Sequence, residues 1–162
     1  MSRTWVVGLA AGLGLAASAG AQNHCPSCVD SVAGQWHMHP ALGLRAGSPQ
    51  KLSAALGLVT GKNYRENGHA EDVAVYVEPG VSAGRATVGY LNAGNMGTGF
   101  GLGATALRTW KTPWTLRTNT TYLGGEAWLW PIFFAGPRVG VFREITGTRH
   151  GWFLTADFGF GL

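Results

Sequence analysis

Two cysteines and two histidines early in the chain are spaced in a way that suits either a disulfide or a metal site. They form the pattern Cys-x2-Cys-x8-His-x-His, made by Cys25, Cys28, His37 and His39. Thiolate and imidazole groups are ligands for zinc or copper, but this spacing matches no closed zinc motif. In an oxidising compartment, two cysteines this close are expected to pair. We predict a Cys25–Cys28 disulfide with no metal or cofactor, and the metal site stays as the alternative.

Histidines farther along the chain are weak candidates for catalysis. His69 lies in a polar connection and His150 in a loop. Neither has a serine at a suggestive spacing or an acid placed to orient it, as a Ser-His-acid set requires. The sequence therefore favours a protein without catalytic residues over an enzyme.

Six charged residues occupy positions that alternate with apolar ones and are predicted to form an interior charge network: Arg45, Glu78, Arg85, Glu126, Arg138 and Asp157. A hairpin centred near Ile132 would place Glu126 opposite Arg138, which predicts a buried ion pair. Glu78 and Arg85 bracket the turn at 81–84 in a slightly offset register. Arg45 and Asp157 belong to the first and last predicted strands. The alternative is that these are solvated charges on ordinary strands.

The elements that would position these side chains are β-strands. No segment shows a sustained 3.6-residue apolar pattern, and 26 glycines are too many for long helices. Apolar residues at every second position, separated by Gly- and Pro-containing turns, predict eight strands in an up-and-down meander. The strands are expected near 42–46, 52–58, 73–77, 88–90, 100–106, 115–130, 139–145 and 152–162.

The two faces of these strands differ in a way that predicts a membrane barrel. One face carries Leu, Val and Phe, while the other carries mainly Gly with a few charges. A solvent face made largely of glycine would form a weak and poorly soluble strand. In a membrane barrel the apolar face contacts lipid, and the narrow interior holds small residues and paired charges. We predict an all-β, eight-stranded antiparallel up-and-down transmembrane β-barrel.

Tryptophans near predicted strand ends suit the aromatic girdles of such barrels. These interfacial aromatics are Trp110, Trp114, Trp128, Trp130 and Trp152. Trp128 and Trp130 share a face with Glu126 by parity. Either large rings lie inside the barrel near one end, or a bulge at Gly124-Gly125 turns them outward.

The first residues predict export. A positive start, an apolar run of about a dozen residues and the small residues Ala19 and Ala21 form a secretory signal cleaved after Ala21. The predicted organisation is a signal peptide over 1–21, an N-terminal segment with the cysteine pair over 22–40, and a barrel domain over 41–162. Only 12% of the residues are charged, and the basic ones are scattered singly, which argues against nucleic-acid binding.

The last strand, 151–162, has apolar residues at the final, third-last and fifth-last positions. It resembles the C-terminal assembly signal of outer-membrane barrels, with Leu162 in place of the usual terminal Phe. In architecture the chain resembles the OmpA-like and OmpX-like class of small barrels. This resemblance implies a bacterial outer-membrane location, contact with outer-membrane lipid, insertion by the barrel assembly machinery, and a monomer.

One predicted feature departs from that class. The longest connection, Gly61 to Asp72, would lie at the end that bears the termini, where such barrels have short turns. An additional strand over Val32 to His39 would change this sidedness.

The function expected from the sequence is that of a structural or interaction barrel with a plugged polar interior and no open pore, because side chains fill an eight-stranded barrel. Two alternatives stay open: a lipid-modifying enzyme similar to lipid A deacylases, and a soluble secreted barrel that binds an apolar ligand.

Overall fold

A computed structural model of the chain describes residues 36–64, 69–94, 97–111, 113, 116–146 and 151–161. These residues form eight strands and no α-helix. The strands are β1 (Trp36–Gly47), β2 (Lys51–Tyr64), β3 (His69–Pro79), β4 (Ala83–Ala93), β5 (Gly99–Thr109), β6 (Thr121–Trp130), β7 (Ala135–Glu144) and β8 (Trp152–Gly161). Within these ranges, no helix is long and apolar enough to span a membrane.

The strands form one closed antiparallel barrel in sequence order. Each strand pairs with the next along the chain, and β1 pairs with β8 from Gly43↔Gly161 to Gly47↔Asp157. Closure leaves the sheet no free edge along that stretch, where an open sheet would expose unpaired backbone groups. The predicted all-β, eight-stranded up-and-down barrel is confirmed.

Side chains alternate between the two faces of the wall with the period of two that a strand imposes. Leu56, Leu102 and Leu154 point outward and are 51%, 56% and 76% exposed. The charged residues Glu126 and Arg138 point inward and are buried. The wall is therefore apolar outside, with a polar layer inside.

The barrel begins earlier than the sequence indicated. β1 starts at Trp36, so 36–40 belong to the barrel instead of the N-terminal segment, and His37 and His39 lie on β1. The additional strand considered over Val32 to His39 is wrong where the structure describes it. Trp36–His39 are the first residues of β1 and do not form a separate strand. β6 starts at Thr121 and not near 115.

The predicted long connection from Gly61 to Asp72 is also wrong, because these two residues pair directly across β2 and β3. The connection between those strands is only 65–68. The longest connection, 110–120, joins β5 to β6 at the end of the barrel away from the termini. The departure from the usual arrangement of small membrane barrels therefore disappears. We call the end with the termini and the 65–68, 94–98 and 131–134 turns the terminal end, and the other the far end.

Candidate functional site

The six residues predicted to form the interior network are all buried inside the barrel. They come from six different strands and are at most 8% exposed: Arg45 on β1, Glu78 on β3, Arg85 on β4, Glu126 on β6, Arg138 on β7 and Asp157 on β8. Three arginines face three carboxylates, so the set is electrically balanced. A balanced and hydrogen-bonded set is the condition under which buried charges are tolerated.

Arg138 is the centre of this network. Its guanidinium donates two hydrogen bonds to Glu78, of 2.7 and 2.8 Å to Oε2 and Oε1. Its Nε lies 2.9 Å from Oδ1 of Asp157, and its Nη1 lies 3.6 Å from Oε2 of Glu126. The planar, forked guanidinium matches carboxylates in this two-bond geometry. One arginine thus contacts all three acids.

Arg85 holds the other side of the network. Its Nη1 donates to Oε1 of Glu126 and, over 3.0 Å, to Oδ2 of Asp157. Its Nη2 donates to the backbone oxygen of Ser48 over 3.1 Å. Arg45 is farther from its partners, with Nη1 3.6 Å from Oδ1 of Asp157. Arg85 and Arg138 are therefore the tightly bound cations.

Neutral polar side chains add hydrogen bonds to two of the three acids. The Ser53 hydroxyl donates to Glu78, and the Thr105 hydroxyl donates to Oε2 of Glu126 over 3.0 Å. Thr87 bonds Thr105 over 2.9 Å. None of these three residues was predicted to belong to the network. Strand alternation could have placed two of them inside the barrel. Thr87 lies two residues after Arg85, and Thr105 lies two residues after Gly103, so each shares the inward face of its strand.

The predicted pairings were correct only in part. Glu126 lies opposite Gly140, and Arg138 lies opposite Trp128, so the hairpin is centred one residue later than Ile132. Glu126 and Arg138 still approach because their side chains reach diagonally. Glu78 and Arg85 lie directly opposite, without the predicted offset, although their charged groups bond to other partners.

The hairpin shift has a local cause. Ile132 and Ala135 form a β-bridge around a two-residue turn, in which Phe133 and Phe134 have φ of 50° and 55°. Positive φ at both central residues is normally supplied by Asn-Gly or similar pairs. Because phenylalanine gives no such signal, the turn could not be located from the sequence.

Two apolar clusters lie on either side of the network along the barrel. The terminal-end cluster contains Val59, Tyr76, Leu91, Trp128 and Trp130 among its buried residues. The far-end cluster is built from the following side chains: Ala83, Leu107, Tyr122 and Phe142, with Leu116 and Phe153 packed against them. Strand β4 shows the order directly, because Ala83, Arg85 and Leu91 follow one another on its inward face. The charges are therefore enclosed by apolar side chains towards both ends.

Trp128 and Trp130 are not interfacial. They are 1% and 2% exposed and point into the barrel, so the first of the two parity alternatives is correct. The β5–β6 register is continuous through Gly124 and Gly125, and no bulge occurs there. Their prediction as interfacial aromatics was wrong, because strand-end position alone does not distinguish inward from outward rings.

Glycines on neighbouring strands make the room for the Trp128 ring. A Cβ built on Gly103 would overlap the ring, and one on Gly89 or Gly101 would come within 2.9 Å of it. Likewise, a Cβ on Gly159 would overlap the side chain of Arg45. The glycine-rich face is thus the surface over which the few large interior side chains lie.

The other predicted aromatics have different surroundings. Trp110 and Trp152 are 41% and 69% exposed at the far end. The indole nitrogen of Trp110 donates to the Val81 oxygen over 3.2 Å. Trp114 lies outside the described residues, as do Cys25, Cys28 and His150, and the side chain of His69 is not described. The Cys25–Cys28 disulfide stays a prediction.

The fold and the enclosed network define a closed eight-stranded barrel with an apolar exterior and a charged, filled interior. Every carboxylate of the network is bound by at least one arginine, which suits a structural role for these acids more than proton transfer. No family model matches the chain, and no curated protein or solved structure is significantly similar to it.

Proposed function

We propose that this protein is a small outer-membrane barrel of a bacterium, held in lipid by its outer wall, with a structural or interaction role and no open pore. The observation that carries this proposal is the polarity of the wall. Large apolar side chains are exposed around the barrel, while six charges are buried inside it. In water this arrangement would leave the apolar side chains unburied and enclose the charges at a cost.

The exposed apolar side chains cover every strand. Examples are Leu42, Leu58, Val75, Val88, Leu102, Leu129, Val139 and Leu154, each at least 40% exposed. Soluble monomers rarely expose contiguous apolar patches beyond a few hundred Å². Strands of 10 to 14 residues are also long enough to supply the roughly 9–11 residues that a tilted strand needs to cross a bilayer. A lipid environment accounts for both features.

Aromatic and basic side chains lie together near both ends of the wall. At the far end, the Arg143 guanidinium carbon lies 5.9 Å from the Trp152 ring centroid. At the terminal end, Lys62 Nζ lies 5.2 Å from the Trp36 ring centroid. Trp and basic residues favour the membrane interfaces, where a ring and a charge can both be accommodated. This placement supports two interfacial belts, and Trp36 was not among the aromatics predicted to form them.

The interior argues against the soluble, ligand-binding alternative. A carrier of an apolar ligand needs an apolar cavity. Here the Leu and Val face is outside, and the inside holds the charge network together with Trp128 and Phe142. The same filling supports the absence of an open pore. We orient the terminal end towards the periplasm, because small membrane barrels keep their short turns there and their longer loops outside.

Fractionation of cells that produce the protein tests its location directly. We expect it to sediment with the outer membrane, to require detergent for extraction and to migrate differently on gels before and after boiling, because a folded barrel resists denaturation. Recovery in the aqueous periplasmic fraction, without a mobility change, would contradict the proposal and favour a soluble barrel.

A pair of valine substitutions tests the lipid contact of the wall. Val88, in the middle of β4, is 51% exposed, and Val81, in a far-end turn, is 53% exposed. In a bilayer, Val88→Arg is expected to lower the free energy of unfolding by about 2–4 kcal/mol, and Val81→Arg by about 0–1 kcal/mol. Urea titration in lipid vesicles measures both values.

The two sites are matched in residue type and exposure, so water contact alone would give similar and small changes at both. Equal losses for Val88→Arg and Val81→Arg would therefore count against a depth-dependent lipid environment.

A further inference from the structure

We propose that His37, His39 and Asp72 form a binding site for a zinc-like divalent transition-metal ion at the terminal end of the barrel. One nitrogen of each histidine and one carboxylate oxygen lie within 4.8 Å of one another. The site combines the two histidines of the pattern noted in the sequence with a carboxylate that was not predicted to lie near them. It is separate from the interior charge network.

Strand geometry brings the two histidines together. Residues two apart on a strand point to the same face, and the rings of His37 and His39 are parallel, with an interplanar angle of 4° and centroids 5.6 Å apart. This part of β1 precedes Gly43, where the described pairing with β8 ends, so it pairs with β2 only. The imidazoles therefore lie at the rim of the barrel.

Asp72 reaches the histidines across an intervening strand. His37 pairs with Gly61 of β2, and Gly61 pairs with Asp72 of β3, so the three residues form one row across three strands. A Cβ on Gly61 would overlap Oδ1 of Asp72. The absence of a side chain at Gly61 thus leaves the space in which Nε2 of His37 lies 2.9 Å from Oδ1 of Asp72.

The hydrogen bonding of the cluster is incomplete. Asp72 is only 5% exposed, and its Oδ1 forms an ion-pair contact with Nε2 of His37. Nδ1 of His37 has no hydrogen-bond partner among the described residues. A buried polar atom without a hydrogen-bond partner is costly, and buried charges are usually paired or coordinate a metal. A cation held between the carboxylate and the imidazoles would compensate the charge of Asp72.

The donor set determines the kind of ion. Two imidazole nitrogens and one carboxylate oxygen suit zinc and related transition metals, whereas calcium and magnesium prefer oxygen ligands throughout. Three protein ligands leave a fourth position of a tetrahedral site, and His39 is exposed to solvent, so water can occupy it. We infer a site that is open to solvent, unlike a closed structural zinc site.

Calorimetric titration with Zn²⁺ tests the site. The full chain is purified in detergent, treated with a chelator and carries Cys25→Ser and Cys28→Ser, so that thiolates do not contribute ligands. We expect one Zn²⁺ per chain and no binding of Ca²⁺ or Mg²⁺. His39→Ala and Asp72→Asn are each expected to weaken Zn²⁺ binding by about tenfold or more, which corresponds to about 1.4 kcal/mol. His150→Ala, in the connection between β7 and β8, is the control and is expected to leave the affinity unchanged.

The two test substitutions suit this measurement because His39 is exposed and Asn keeps the shape of Asp72. A boiled-versus-unboiled gel verifies that each variant is folded. Absence of one-to-one Zn²⁺ binding would overturn the proposal and leave a plain His37–Asp72 ion pair. Zn²⁺ binding that both substitutions leave unchanged would overturn it as well. The inference does not depend on the proposed membrane location, because the titration reports on the barrel in any solvent in which it is folded.

Discussion

Arg138→Met is expected to lower the free energy of unfolding by about 3–5 kcal/mol, the loss typical of removing one partner from a buried ion pair. Arg138 is 1% exposed and contacts Glu78, Glu126 and Asp157. Methionine fills much of the volume but donates no hydrogen bond. Three carboxylates would then share the two remaining arginines, and Glu78 would lose both of its charged hydrogen bonds.

Urea titration of the barrel in detergent, followed by the mobility of the folded form on unboiled gels, measures this loss. Arg143→Met is the matched control, because Arg143 lies on the same strand but on its exposed outer face. Exposed charge interactions contribute about 0–1 kcal/mol, so the control should change little. Similar losses at the two positions would show that the interior network does not contribute specifically to stability.

A second substitution distinguishes an unpaired charge from a general packing defect. Glu78→Gln in the Arg138→Met background removes one of the uncompensated carboxylates and is expected to restore part of the lost stability. In the wild-type background, the same Glu78→Gln change is expected to destabilise the barrel, because it breaks the bidentate contact. This change of sign is the coupling that a double-mutant cycle reports. Losses that simply add would contradict a charge-based role for Arg138.

The wall of the barrel could be predicted because the order of residue types within each single strand defines its two faces. Alternation such as Phe100, Leu102 and Ala104 against Gly101 and Gly103 assigns each side chain to a face without knowledge of its neighbours. Eight such segments with turn residues between them were sufficient for strand number and topology. The glycine-rich composition of the other face then indicated that the apolar face is the outer one.

Register and pairing could not be predicted with the same accuracy because they depend on turns. The Phe133-Phe134 turn carries none of the usual residues for positive φ, so the expected partner of Glu126 was displaced. The predicted connection from Gly61 to Asp72 was wrong because the point at which β2 ends and β3 begins could not be located from the sequence. His69 was placed in that connection, although strands β2 and β3 continue through 61–64 and 69–72. Asp72 was consequently not recognised as a neighbour of His37.

The alternation of side chains along β6 was not sufficient to determine the direction of the Trp128 ring. Its position relative to Glu126 allowed an inward ring or a bulge, and a local pattern cannot choose between them. The choice depends on Gly89, Gly101 and Gly103, whose missing side chains accommodate the ring from two other strands. This information is contained in the sequence, but it can be used only after the strands are aligned.

Trp128→Ala is expected to lower the free energy of unfolding by about 3–5 kcal/mol, the cost of removing a large buried aromatic side chain and leaving a cavity. The ring is 1% exposed and packs edge-on against Tyr76, with centroids 6.3 Å apart. The glycines that surround it have no side chains with which to fill the space. The same urea titration and gel assay measure the loss.

Trp152→Ala is the matched control, because Trp152 is 69% exposed at the far end and its removal leaves no enclosed cavity. A change of only about 0.5 kcal/mol is expected there, as for most substitutions at exposed positions. Gly103→Val tests the same contact from the other side, because the added side chain would overlap the Trp128 ring. If Trp128 is the cause of that overlap, Gly103→Val should destabilise the wild-type barrel much more than the Trp128→Ala variant. Equal effects in the two backgrounds would show that the glycines are needed for another reason, such as the close approach of the strands themselves.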